Sequence, residues 1–159
     1  VHPGSGSRQK CWAVDRYVEL ILWLNEEIDA QILIISGPAD TEIVEDLRVK
    51  VKDKFILADQ LPLPFLAAII KRCNLFVGND SGITHLAAAV ETPAIAIFGS
   101  SDPSMWGPRG ERVKILFKKS ACSPCSFDTR RNCITQTCLG SVTVEDVMSE
   151  IRYTYQYSF

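Results

Sequence analysis

The chain has 159 residues, of which 17 are Lys or Arg and 19 are Asp or Glu, for a formal net charge of −2. A hydrophobic content of 47% with 23% charged residues is typical of a globular fold and too apolar for a disordered chain. The near-neutral balance gives no broad attraction for nucleic acid, and no apolar run approaches the roughly 20 residues of a membrane span.

Patterns typical of helices and of strands alternate along the chain. Helical spacing and turn residues predict helices over 14–28, 39–49, 63–72 and 82–90, and a last helix starting near Thr143. Short apolar runs predict strands over 31–35, 55–57, 74–78, 94–98 and 113–117. This order predicts an α/β fold with a parallel sheet covered by helices on both faces, and the length predicts one domain.

Ligands bind to such sheets beyond the carboxyl ends of the strands, where loops enter the next helix. The first of these loops, 3–10, reads Pro-Gly-Ser-Gly-Ser-Arg-Gln-Lys. Its glycines allow backbone N–H groups to approach an anion, its serines donate hydrogen bonds, and Lys10 supplies a positive charge. Because the Walker and G-x-G-x-x-G patterns are absent, a phosphate-binding loop and a flexible Gly/Ser segment are both open interpretations.

The segment 78–85, Gly-Asn-Asp-Ser-Gly-Ile-Thr-His, leads from a predicted buried strand directly into an alanine-rich helix. The unpaired N–H groups at the helix start suit a phosphate, Gly82 allows close approach, and Ser81 and His85 can face one ligand. Asp80 and Ser81 could instead only cap the helix. A Ser81–His85–Asp80 hydrolase triad is disfavoured, because residues so close in sequence rarely align as nucleophile, base and orienting acid.

Two further loops follow predicted strands. The first loop, 36–42, contains two acidic residues. Glu42 or Asp40 could meet a ribose hydroxyl there, or could simply favour the dipole of the following helix. The second, 98–110, contains several glycines and prolines and could line a pocket or merely turn the chain.

Four of the six cysteines are clustered with the spacing C-x2-C-x7-C-x4-C: Cys122, Cys125, Cys133 and Cys138. Thiolates are suitable zinc ligands, but the spacing lacks the two C-x2-C pairs of zinc ribbons, so metal-bound, free and disulfide-bonded cysteines all stay open. The chain begins at Val1 without an initiator Met or signal peptide. We therefore expect a piece of a longer cytoplasmic protein.

Taken together, these segments resemble the C-terminal half of glycosyltransferase family 9, the ADP-heptose:lipopolysaccharide heptosyltransferases. The resemblance rests on motifs that follow one another in order: 2–6 with Lys10 and Trp12, 36–38 with Glu42, Asp80-Ser81-Gly82-x-x-His85 with 86–89, 98–103, 107–108 and Cys122-x-x-Cys125. It implies the Rossmann-like C-terminal domain of a two-domain GT-B enzyme, with residues 1–159 as a single nucleotide-sugar-binding domain.

The resemblance also implies roles for nine residues. Ser5, Gly6, Ser7 and Lys10 would face the donor diphosphate, Asp80 would meet sugar or ribose hydroxyls, Ser81 and Gly82 would hold phosphate with His85 beside them, and Glu42 would reach the adenosine ribose. The implied reaction is an inverting displacement of ADP from ADP-heptose by a hydroxyl of the lipopolysaccharide core, with Lys10 as the catalytic residue that stabilises the leaving diphosphate. No metal or cofactor is implied, because Lys10 and a helix end balance the diphosphate charge.

The general base and the acceptor site are expected in an N-terminal domain outside this chain. The full-length protein is expected in the cytoplasm or at the periphery of the inner membrane. Three alternatives stay open: another GT-B enzyme with a different donor, a non-catalytic nucleotide-binding module, and a cysteine-bound metal domain.

Overall fold

The computed structural model describes residues 1–52 and 54–156, and this part of the chain alternates between strands and helices. The strands are β1 (Leu33–Ser36), β2 (Ile56–Asp59), β3 (Phe76–Asn79), β4 (Ala94–Phe98) and β5 (Val113–Phe117). The helices are α1 (Val14–Glu27), α2 (Thr41–Val51), α3 (Leu63–Lys71), α4 (Gly82–Ala89), α5 (Pro103–Trp106), α6 (Phe127–Arg131), α7 (Thr137–Gly140) and α8 (Val144–Gln156), and a 3-10 turn (Arg8–Lys10) precedes α1. Every strand and helix that the sequence predicts is present close to its expected bounds.

Three short helices, α5 to α7, lie where the sequence predicted only loops. α5 and α6 begin at capping side chains, since Asp102 accepts a hydrogen bond from Ser104 N at 2.9 Å and Ser126 accepts one from Thr129 N at 3.2 Å. Helices of four or five residues contain little more than one turn, so the apolar periodicity of the sequence does not reveal them.

The amino-terminal residues Val1 and His2 join two parallel groups of strands into one sheet. β1 pairs with β2, and β3, β4 and β5 pair in that order. Ile35 N donates to Val1 O, and His2 N donates to Val77 O, each at 2.9 Å. The resulting order is β2, β1, residues 1–2, β3, β4, β5, which is the order of a doubly wound Rossmann sheet. Its switch point lies between residues 1–2 and β3.

Helices cover both faces of this sheet, as the sequence predicts. On one face α1, α2 and α8 bury a core around Leu20, Leu47 and Ile151. On the other face α3 and α4 bury a smaller core around Leu66 and Ala87. The side chains of β3 alternate between these cores, because successive residues of a strand point to opposite faces. No helix in the described part of the chain is long and apolar enough to cross a membrane.

Candidate functional site

The switch point of the sheet brings together the loop 3–10 and the loop that follows β3. The organising residue is Asn79, which is fully buried. Its Nδ2 donates to Pro3 O at 2.7 Å and Gly4 O at 3.2 Å, and its Oδ1 accepts from Trp12 N and Tyr17 Oη, each at 3.0 Å. One amide side chain at the end of β3 therefore holds both ends of the neighbouring loop.

An ion pair connects the two loops inside the cleft. Lys10 Nζ lies 2.7 Å from Asp80 Oδ2, and the two side chains are 22% and 8% exposed. Ser5 Oγ donates to Asp80 O at 2.8 Å and so ties the first loop to the second. The cleft thus holds an ammonium group and a carboxylate that are shielded from bulk water, where electrostatic interactions are stronger than at the surface.

A second polar chain, from Asp40 through His2 to Ser81, runs beneath the cleft. His2 Nε2 lies 3.4 Å from Asp40 Oδ2, and His2 Nδ1 lies 3.2 Å from Ser81 Oγ. Asp40 also accepts a hydrogen bond from Gly37 N at 2.8 Å. Burial by itself would raise the pKa of Asp40, but the hydrogen bonds from His2 and Gly37 outweigh it, and the pKa lies below its usual value. This chain fixes where the Ser81 hydroxyl sits.

The start of α4 is open toward the cleft. Ser81 caps the helix by accepting from Thr84 N at 3.4 Å. A Cβ atom added to Gly6 or to Gly82 would meet no other atom within 4 Å. The backbone N–H groups of the first turn and the positive end of the helix dipole therefore face free space, which suits an anion. Ser81 thus combines the capping role with a place at the cleft.

The Ser81–His85–Asp80 triad that the sequence disfavours is not formed. His85 Nε2 lies 3.1 Å from Trp106 O, and Asp80 is paired with Lys10.

Eight of the nine residues singled out by the sequence line one cavity of about 670 Å³, the central cavity: Ser5, Gly6, Ser7, Lys10, Asp80, Ser81, Gly82 and His85. An adjacent cavity of about 450 Å³, the apolar cavity, shares Ser5, Gly6, Ser81 and Gly82 with it and is walled by Ile35, Leu61, Leu63, Leu66 and Ile83. The two cavities are therefore neighbours, with the Gly6 and Gly82 backbones at their common border.

Glu42 is the one predicted site residue that the structure places elsewhere. Its side chain is 83% exposed and lies 3.6 Å from the Arg8 guanidinium. It lines a third cavity of about 270 Å³, which shares Ser5 with the other two. The alternative at this loop, Asp40, is buried and already bonded to His2 and Gly37.

Comparison with known proteins shows the family of this chain. The profile of glycosyltransferase family 9 (heptosyltransferase) matches residues 1–135. The chain belongs to this family. The resemblance inferred from the motifs is thereby confirmed.

The matched regions include most of this chain, and the chain spans less than half of the length of the relatives it matches. Lipopolysaccharide heptosyltransferase 3 of Escherichia coli K12 is 33% identical over 117 residues, which are 71% of this chain and 34% of the relative. The structure of E. coli ADP-heptose lps heptosyltransferase II superposes with a TM-score of 0.77 at 22% identity, covering 96% of this chain and 44% of that one. A family 9 structure from Veillonella parvula gives 0.84 at 24% identity, with 98% and 44% covered. The two structural matches show the fold.

Several residues that the structure brings to this cleft were not singled out by the sequence. Asn79 and His2 stand inside the quoted motifs, but their bonding partners are distant in sequence. Five more residues complete the wall of the central cavity: Gln9, Trp106, Phe127, Arg130 and Arg131. Gln9 and Trp106 lie in the loops 3–10 and 98–110 that the sequence singles out, whereas Phe127, Arg130 and Arg131 lie outside them. The sequence does contain a signal for three of them: Arg130 and Arg131 follow the aromatic Phe127 between Cys125 and Cys133.

The four clustered cysteines, Cys122, Cys125, Cys133 and Cys138, are free thiols in the structure of this family 9 chain. All six cysteines are unpaired. Burial, and then the charges of the neighbouring Cys122 and Cys138 thiols, raise the pKa of Cys125. In residues 1–52 and 54–156, no group of three or more His, Cys, Asp or Glu side chains is arranged to hold a metal ion.

Two of these thiols are expected to differ in reactivity. A hydrogen bond from the backbone of Gln136 lowers the pKa of Cys133, whereas burial raises the pKa of Cys11 to about 11. Because the thiolate is the reactive form, iodoacetamide at mildly alkaline pH should modify Cys133 well before Cys11. Peptide mass spectrometry over time measures this order. In urea the two rates should converge, and equal rates in the folded protein would contradict the prediction.

Proposed function

We propose that residues 1–159 form the donor-binding domain of a two-domain heptosyltransferase that transfers heptose from ADP-heptose to the lipopolysaccharide inner core. The observation that carries the proposal is the Lys10–Asp80 ion pair, 2.7 Å long, beside two open glycines and the free start of α4. Family membership supplies the reaction class. A nucleotide sugar needs such a site, because its diphosphate carries the charge that must be bound and then stabilised on leaving.

The two neighbouring cavities divide the donor between them. The apolar cavity suits a flat nucleobase, since Leu61, Leu63 and Ile83 offer apolar surface beside the Gly37–Pro38 turn. The diphosphate then crosses the Gly6 and Gly82 backbones, and the sugar lies in the central cavity near Asp80. Glu42 would reach the ribose once its ion pair with Arg8 is broken. Breaking this pair costs little free energy, because both side chains are exposed.

The reaction supported by this placement is a displacement with inversion. The acceptor oxygen forms a bond to the anomeric carbon as the bond from that carbon to the diphosphate oxygen breaks, and ADP leaves with the electron pair. Lys10 and the N–H groups at the start of α4 stabilise the negative charge that develops on the diphosphate. The acceptor hydroxyl gives its proton to a base that we assign to the other domain.

A thermal-shift titration of this chain with ADP, ADP-heptose and UDP tests the proposal. A ligand at 100 times its dissociation constant adds about 2.7 kcal/mol to the free energy of unfolding, which is readily detected. Stabilisation by ADP and ADP-heptose, but not by UDP, is the expected result. A preference for UDP would move the enzyme to another donor class. If none of the three ligands stabilises the chain, the proposal that this chain binds the donor is wrong.

Two glycines of one loop provide a matched test of the diphosphate path. A Cβ atom at Gly4 would lie 1.9 Å from Asp40 Oδ1, whereas one at Gly6 would meet nothing within 4 Å. Gly4→Ala should therefore lower the free energy of unfolding by about 1–3 kcal/mol, since Asp40 must shift away from His2. Gly6→Ala should leave stability unchanged and weaken ADP binding, because its methyl group occupies the space where the ligand crosses. Urea unfolding and calorimetric titration measure the two effects. Tight ADP binding by Gly6→Ala would contradict the proposed path.

A further inference from the structure

We propose that Arg130 and Arg131, together with Trp106 and Phe127, form a binding site for an anionic acceptor sugar, one that carries a phosphate or carboxylate group. These four residues are called the acceptor wall below. The inference rests on the proposed function for where the donor lies, and it adds an acceptor contact made by this domain itself.

The acceptor wall borders the same central cavity as Lys10 and Asp80. Trp106 is 59% exposed and Phe127 is 67% exposed. The Arg130 guanidinium lies over the Phe127 ring, 5.9 Å from its centroid. Among residues 1–52 and 54–156, the ion pairs involve neither Arg130 nor Arg131. Two uncompensated positive charges and two exposed rings therefore face one cavity.

The position of the acceptor wall relative to the donor path points to the acceptor. Ser5, Gly6, Ser81 and Gly82 border both the central and the apolar cavity, whereas the acceptor wall borders the central cavity alone. A donor with its base in the apolar cavity and its diphosphate over the two glycines directs its sugar into the central cavity. The acceptor wall consequently lies where the second substrate must approach the anomeric carbon.

The chemistry of the acceptor wall fits an anionic sugar. The diphosphate already has Lys10, serine hydroxyls and the start of α4 as partners, and a neutral sugar does not require two guanidinium groups. A guanidinium presents a planar fork of N–H donors that matches phosphate and carboxylate oxygens. The exposed rings of Trp106 and Phe127 offer apolar faces to the C–H side of a sugar ring.

The segment that carries α6 is fixed to the body of the domain. Cys125 N donates to Ser100 O at 2.8 Å, Ser126 caps α6, and Gln136 Nε2 donates to Arg8 O at 3.1 Å. These bonds hold the two ends of the segment to the β4–α5 loop and to the loop that bears Lys10. The two arginines are therefore held beside the cavity by bonds that do not involve their own side chains.

Titration of this chain by NMR with simple sugars tests the proposal. The probes are mannose 6-phosphate, glucuronate and mannose, each added with and without saturating ADP. The indole N–H signal of Trp106, assigned with Trp106→Phe, reports binding. Either anionic sugar should shift this signal in the presence of ADP, and mannose should not. A shift with only one of them identifies phosphate or carboxylate as the recognised group.

Arginine variants test whether binding of the anionic sugar depends on the guanidinium charges of Arg130 and Arg131. The double substitution Arg130→Gln and Arg131→Gln should weaken the binding of the anionic sugar by about tenfold or more, while ADP binding stays within about twofold. Arg109→Gln, an exposed arginine that lines a separate cavity, is the matched control and should change neither.

Four results would overturn the proposal: no shift with either anionic sugar, an equal shift with mannose, anion binding that ADP abolishes, or anion binding that the double variant retains. The third result would assign the arginines to the donor phosphates. If ADP fails to bind while an anionic sugar still shifts Trp106, the proposed function is wrong and the anion site stands.

Discussion

Replacing Lys10 with Ala is expected to reduce heptose transfer by the proposed full-length enzyme by about 10²–10³-fold. The Lys10 side chain is only 22% exposed, and its ammonium group lies 2.7 Å from the carboxylate of Asp80 inside the cleft. As ADP departs, negative charge grows on the diphosphate, and a cation held in place beside it stabilises the transition state more than the bound donor. Steady-state kinetics with saturating donor measure the loss in kcat.

The same variant should also bind ADP about tenfold more weakly, because it leaves the Asp80 carboxylate, 8% exposed, without its cation and next to an anion. The matched control is Lys50→Ala. Lys50 Nζ lies 2.7 Å from Asp15 Oδ1, the same distance, but this pair is on the surface away from the cleft. Lys50→Ala should leave ADP binding and transfer unchanged. A Lys10→Ala enzyme that transfers heptose at the wild-type rate would falsify the catalytic role.

Replacing Asn79 with Leu is expected to lower the free energy of unfolding by about 3–5 kcal/mol. Leucine has a similar volume but makes none of the four hydrogen bonds of the Asn79 amide. Four buried groups then lose a partner: the N–H of Trp12, the hydroxyl of Tyr17 and the carbonyls of Pro3 and Gly4. Each unsatisfied buried group costs about 1–3 kcal/mol, and the total is below the sum because the loop relaxes.

Urea unfolding of three variants separates these contributions. Asn132→Leu is the control, since Asn132 is exposed at the end of α6 and its amide donates to Asp128 O. Its cost should be below about 0.5 kcal/mol. Tyr17→Phe removes one of the four bonds and should cost about 1 kcal/mol. If Asn79→Leu unfolds as wild type does, Asn79 does not hold the loop, and Lys10 is positioned by other contacts.

Much of this protein follows from local pattern. Short apolar runs ending at Gly, Ser or Asp gave the strand positions, and periodic apolar residues gave the long helices, because both depend on contacts between near neighbours in sequence. Eight residues chosen at strand ends line one cavity, since the carboxyl ends of parallel strands meet at one edge of the sheet. The order of the motifs was enough to indicate the family, which the profile match confirms.

Tertiary structure alone decided the rest. That Val1 and His2 form the centre of the sheet depends on hydrogen bonds to Ile35 and Val77, far away in sequence. The inward amide of Asn79 and the Asp40–His2 pair are buried polar contacts whose partners no local pattern specifies. Glu42 lies outside the central cavity because α2 begins on the far side of the first loop, and Arg131 lies beside it because the segment before α7 folds back over the end of β4. Sequence determines which residues end a strand or start a helix, whereas the packing of distant elements determines which of those residues meet.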